Sequence, residues 1–205
     1  MNSRELFTKI LTERFFIRKQ TYGGFIYGKD RVEKFKNVLD TYSRKKVKVI
    51  LFISPIHARQ MEALDALGLY ECFENWKRDL VDAVDDVRKK RDVDIILWDF
   101  SGYNSVTTED IPDSKATQMQ WYWESSHFKK ALGDLVLSRM LHFESHQKVP
   151  DDFGVPIHSG NIEAHLAEIR RGKDIYFKEH PEEVEDVRLL AEKTAHLRKN
   201  FNDLP

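Results

Sequence analysis

Glu124-Ser125-Ser126-His127 places a carboxylate three residues ahead of an imidazole, just before a helical pattern begins. An acid at that distance can accept one ring N–H, fix the tautomer and stabilise the imidazolium. The other ring nitrogen is then left to take a proton from a nucleophile. Such a pair is the base half of a nucleophile, base and acid triad. The same spacing also arises where polar residues simply start a helix, so spacing alone leaves both readings open. Trp121, Tyr122 and Trp123 stand directly before it. Their faces can stack on a sugar ring, or they can bury a loop against the core. Asp99 and Asn104 flank the end of a strand and can support His127 from behind, or cap a loop through local backbone hydrogen bonds. Ser125 and Ser126 are poor candidates for the nucleophile, being too near His127 in sequence to meet its ring in the usual geometry. His142 and His146 are one helical turn apart, but no third ligand and no His-Glu-x-x-His glutamate accompanies them, so no metal site is expected.

These residues need a frame. Val47 to Ile53 is β-branched and nearly continuous, which predicts a strand buried on both faces. Helical periodicity follows from about His57 to Arg88, with Gly68 as a break between two helices, and Asp94 to Phe100 is the next strand. A crossover of that length joins parallel strands, so the three pieces form a βαβ unit. Ligands in open α/β sheets sit beyond the carboxyl ends of the strands. That rule selects Ser54-Pro55-Ile56-His57, Asp99 to Asn104, and the long irregular segment that carries Trp121 to His127. Before the unit, Leu6, Phe7, Ile10, Leu11 and Phe15 fit a helix capped by Ser3, ahead of a turn at Gly23, Gly24 and Gly28. A second helix runs from Asp30 through Val32, Phe35, Val38, Leu39 and Tyr42 to the basic stretch Arg44-Lys45-Lys46. After it come helices around Leu132 to Met140, from Asn161 to Arg171 with Gly172 as the stop, and from Pro181 to Leu197.

The 205 residues suit one core, and 33 basic against 34 acidic side chains are spread evenly. No electrostatic footprint for nucleic acid or an anionic membrane results. The single cysteine, Cys72, excludes an intramolecular disulfide and reads as a buried thiol. The longest apolar run, Val47 to Pro55, contains Lys48 and is far shorter than the ~20 residues a bilayer span needs. The first residues lack the organisation of a secretion signal, and the expectation is a cytoplasmic chain.

Tyr122 to Phe128 followed by Gly133-Asp134-Leu135 resembles the last conserved block of SGNH (GDSL-like) hydrolases. Leu51 to Ala58, Leu97 to Asn104, Gln120 to Leu137, Asp152 to Val155 and Asn161 to Ile169 resemble a bacterial group of uncharacterised SGNH-like proteins. That group is distantly similar to alginate O-acetylation and teichoic-acid D-alanylation proteins. The resemblance implies that His127 is the catalytic base and Glu124 its acid, where the superfamily more often has Asp. It puts Ser54 and His57 where an oxyanion-hole residue would stand, although the usual Gly-x-Asn-Asp is absent. The group's Gly-x-Ser-Arg-like segment follows a first strand. Asn2-Ser3-Arg4 is superficially similar, but no strand precedes it, and Ser3 reads as a helix cap.

The expected fold is therefore α/β, a partial SGNH or flavodoxin-like parallel sheet flanked by helices. It forms one incomplete domain, with an α/β portion over 1–143 and a helical extension over 144–205. The expected function is an ester hydrolase or O-acyltransferase module for an acylated carbohydrate or similar ester, lacking its serine end. The alternative is an inactive remnant that serves as a binding or structural domain. Its site residues would be His127 and Glu124, with Ser54, His57, Asp99, Asn104, Trp121 and Trp123 as substrate or oxyanion contacts. No cofactor, nucleic acid or membrane segment is expected. An incomplete sheet should offer an edge or apolar face to another chain or a second copy.

Overall fold

The computed structural model describes residues 1–17, 28–142 and 147–197. Helix α1 (Ser3–Ile10) starts from a capping box: the Asn2 side chain accepts from the Glu5 N–H and Glu5 accepts from the Asn2 N–H. The cap is thus Asn2 and not Ser3, because only a cap at position 2 brings a glutamate to the third helical residue. The helix continues as a π-helical stretch over Leu11–Phe16, and Phe7, Leu11 and Phe16 are buried. The expected turn at Gly23 and Gly24 lies outside the described residues. Helix α2 (Lys29–Ser43) buries Leu39 but leaves Val38 and Tyr42 about half exposed, so its apolar face is narrower than its periodicity suggests.

Strands β1 (Val49–Ile53) and β2 (Ile95–Asp99) pair in parallel, Val49 opposite Ile95 and Ile53 opposite Asp99. Helices α3 (Ala58–Ala66) and α4 (Tyr70–Arg91) connect them, and Gly68 breaks the helix at a φ of +68°. This is the expected βαβ unit. Next come a hairpin of β3 (Tyr122–Glu124) and β4 (His127–Phe128), and then α5 (Lys130–Leu141). Beyond it, β5 (Val155–Ile157) adds to the free side of β2 in the antiparallel sense, Leu97 opposite Ile157. The three-stranded sheet has the order β1-β2-β5 and is mixed, not parallel throughout. Strand β5 contains Pro156, which an edge strand tolerates because one row of its N–H groups faces away from the sheet. β1 is the other edge, and Phe52 is 45% exposed, so this strand is not buried on both faces as its composition predicts.

Alternation along the strands builds a core on each side of the sheet. Ile50, Ile96 and Trp98 face a cluster with Phe7, Phe100, Tyr122, Leu132 and Phe153. Ile53, Ile95 and Leu97 face another, with Leu39, Leu80, Val84 and Leu166 from the helices opposite. The chain ends in α6 (Ile162–Glu179) and α7 (Pro181–Lys193), which begins with proline. Helix α6 runs through Gly172 without stopping. A Cβ there would lie 3.0 Å from the Tyr103 carbonyl oxygen, so this glycine serves a close approach to the β2 loop. Helix α7 is tied to α3 by Arg59, which is fully buried and pairs with Glu183 and Asp186. Cys72 is half-buried, and its partial burial raises the thiol pKa. No helix among the described residues is long and apolar enough to cross a membrane.

Candidate functional site

Glu124 and His127 face each other across the β3–β4 hairpin. Along β3 the alternation buries Tyr122 and Glu124 and turns Trp123 outward. Glu124 is 4% exposed, yet its carboxylate is well supplied with donors. The Ser126 N–H and hydroxyl both donate to it at 2.9 Å, and the Ser125 hydroxyl reaches it at 3.3 Å. His127 Nδ1 is bonded to Glu124 Oε1, and its side chain is 64% exposed. With Nδ1–H given to the acid, Nε2 is the unprotonated nitrogen and stands free for a proton. Ser125 and Ser126 give their hydroxyls to Glu124, and the Ser126 hydroxyl also lies 3.2 Å from His127 Nδ1, so neither is presented to Nε2. Among the described residues no serine hydroxyl bonds to that nitrogen.

The other candidates fall elsewhere. Ser54 is exposed just past β1. His57 is fully buried: Nδ1 accepts from the Arg59 N–H at the start of α3, and Nε2 is 2.7 Å from the Glu109 carbonyl. Phe7 and Tyr122 stand edge-on to its ring at about 5 Å. Both nitrogens are used, and burial lowers its pKa to about 4, so the ring is a neutral helix cap with no nitrogen left for an oxyanion. It does help to hold the hairpin, since its backbone N–H donates to the Ser125 carbonyl at 3.0 Å. Trp121 is half-buried, its side chain packed against the core and its N–H bonded to Glu109. Trp123 is 61% exposed, with the Lys129 ammonium 4.7 Å above its ring. It is the one member of the aromatic run placed for stacking on a ligand. His142 ends α5 in a left-handed conformation, and His146 lies outside the described residues.

Asp99 does not meet His127, for a simple reason. It follows Ile95 and Leu97 on the face toward α4 and α6, while the hairpin packs against the opposite core. There it joins Lys77, Ser101 and His165. The Lys77 ammonium lies 2.7 Å from Asp99 Oδ2 and 2.8 Å from Ser101 Oγ, and His165 Nε2 donates to Oδ2 at 2.9 Å. The Ser101 hydroxyl and N–H both donate to Oδ1, at 2.7 and 2.9 Å. Burial alone would raise this carboxyl's pKa. The Lys77 charge and the His165 hydrogen bond outweigh it and hold Asp99 below the usual carboxylate range. Asp99, Ser101 and His165 line a cleft of about 560 Å³ between α6 and the β2 loop, with Asn104 also in the wall. Asn104 Oδ1 accepts from the Val106 and Thr107 N–H groups, which folds the loop, and its Nδ2 has no partner among the described residues.

Lys77 and His165 were not singled out as site residues, although Lys77 left a signal. It lies one helical turn after Phe73 and three residues before Leu80, on the core face of α4, where a buried ammonium requires a buried anion. Comparison of the chain with family models, curated proteins and solved structures finds no match in any of the three. What the chain itself offers to chemistry is two carboxylate–imidazole pairs on opposite faces of one small sheet.

Proposed function

We propose that the chain is an SGNH-like ester hydrolase or O-acyltransferase module in which His127 is the general base and Glu124 orients it. The supporting observation is an exposed imidazole whose Nδ1 is held by a buried, fully hydrogen-bonded carboxylate. His127 Nε2 takes the proton of an attacking hydroxyl or water as its oxygen adds to the ester carbonyl. Glu124 stabilises the imidazolium, and the same proton then passes to the departing alcohol. Trp123 offers a face for a carbohydrate part of the substrate. The attacking hydroxyl comes from water or from a serine outside the hairpin.

One observation favours a second reading, an inactive domain that binds or supports another molecule: no described serine hydroxyl is bonded to Nε2. A chromogenic acetyl ester, run alongside a fluorophosphonate probe for an activated serine, separates the two. The enzyme reading expects ester turnover that falls at least about a hundredfold in His127→Ala, the usual scale of a lost general base. Equal turnover in wild type and His127→Ala, with no probe labelling, would establish the binding reading instead.

A further inference from the structure

The cleft on the α6 side has its own chemistry. Its floor is the Asp99 and His165 pair, with Lys77 behind it. With Nε2–H given to Asp99 Oδ2 at 2.9 Å, the neutral ring has Nδ1 as a hydrogen-bond acceptor. The ring lines the cleft, its side chain is only 10% exposed, and Nδ1 has no partner among the described residues. Asn104 Nδ2 is a donor without a partner in the same wall. Ile169, Ile175 and Val155 supply apolar surface.

The charge balance limits what can enter. Lys77 and Asp99 cancel each other. The remaining charges in the wall are Asp152 and Glu168 against Arg171, and Arg171 already pairs with Glu168. The excess is one negative charge, which disfavours phosphates and carboxylates. The open groups are of both kinds: His165 Nδ1 and the remaining lone pairs of Asp152 and Glu168 accept, while Asn104 Nδ2 and the Arg171 N–H groups not bonded to Glu168 donate. A complementary molecule is uncharged, carries hydroxyls that both donate and accept, and has a C–H face to lie on the isoleucines.

We propose that this cleft is a second binding site, for a neutral polyhydroxylated small molecule such as a sugar or polyol, in which His165 Nδ1 accepts a ligand hydroxyl and Asn104 Nδ2 donates to a ligand oxygen. The site does not depend on the Glu124 and His127 chemistry, since it lies on the other face of the sheet and uses other groups. Its volume is within the ordinary range for small-molecule pockets, ~300–1,000 Å³.

The test is an NMR titration of isotope-labelled full-length chain, following the imidazole nitrogens of His165 and the amides of 164–175. The probes are methyl glucopyranoside, methyl galactopyranoside and sorbitol, with citrate as an anionic control and putrescine as a cationic one. The expected result is saturable shifts at His165 and its neighbours with at least one neutral probe, and none with citrate or putrescine. Binding should weaken at least about tenfold in His165→Ala, the scale of losing a desolvated hydrogen-bond partner. Since that variant disturbs a buried cluster, Ile175→Asp serves as the second: Ile175 is 49% exposed, and its replacement should weaken binding while leaving the melting temperature unchanged. His127→Ala should bind as wild type does, so a failed esterase test leaves this one intact. The proposal is overturned if no neutral probe saturates, if citrate or putrescine binds more tightly, or if binding survives both His165→Ala and Ile175→Asp.

Discussion

The two carboxylate–imidazole pairs use the same groups in opposite ways. In the hairpin a buried Glu124 holds an exposed ring by Nδ1, and the acid's other donors come from the next two residues. Beneath α6 a buried Asp99 holds a mostly buried ring by Nε2, and its other donors come from a helix 22 residues upstream in the chain and from its own loop. The first pair is local, held by residues 124–127. The second joins β2, α4 and α6, and so is part of what keeps the helices on the sheet. The same chemical pairing can thus be a tool presented to solvent or a fixture of the core, and burial of the histidine decides which.

The contrast is sharpest in Lys77→Met. Removing the cation leaves Asp99 charged and buried beside one histidine and one serine. Breaking such a pair costs about 3–5 kcal/mol, so urea denaturation should show a loss of that size. A loss below about 1 kcal/mol would mean that water reaches Asp99, and the distinction between the two pairs would collapse.

The buried side should also carry a pH dependence near neutrality. Glu62 on α3 receives the Tyr103 hydroxyl at 2.5 Å, and burial raises its pKa from 4.5 to about 8. For an acid raised on folding, the native state holds a proton that the unfolded chain releases, and the sign follows. The contribution of this group is fully present below pH 4.5 and is lost as pH rises toward 8, by up to about 1.4 kcal/mol per pH unit. Glu62→Gln should remove that slope between pH 5 and 8 in thermal melts. An unchanged slope would place its source elsewhere. Smaller still is Glu124→Gln: the amide keeps the shape but weakens the acceptor for four local donors, at a cost of about 1–2 kcal/mol by denaturation.

Much of this frame was readable from residue order, for physical reasons. The βαβ unit showed because β-branched runs and helical periodicity are local signals, and Gly68 showed because a left-handed residue ends a helix. The Glu124 and His127 pair showed because a tight hairpin keeps near neighbours together. Strand β5 did not, since it is three residues long, contains Pro156, and exists only through its pairing with β2. Gly172 misled because glycine marks close approach as well as helix ends, and here the approach is to Tyr103. The Asp99 cluster was half legible. Strand alternation puts Asp99 on the side of Ile95 and Leu97, and helical periodicity puts Lys77 on a core face. That they meet each other and His165 is decided by packing between segments 22 and 66 residues apart in sequence.

The smallest expected effect on stability is also the most informative about the exposed pair. His127→Ala removes a ring that is 64% exposed and bonded only within its own hairpin. Substitutions at such surface positions usually change stability by no more than about 0.5 kcal/mol. Its loss does strip one donor from Glu124, but the Ser126 N–H and hydroxyl still satisfy that carboxylate. The melting temperature should therefore stay within a degree or two of wild type, while ester turnover falls by at least about a hundredfold. His165→Ala offers the matched control, because it takes a donor from Asp99, whose side chain is fully buried, and it should melt clearly lower. If the two alanine variants lose equal stability, ring exposure does not separate tool from fixture here, and His127 belongs to the core of its hairpin instead of to a reaction.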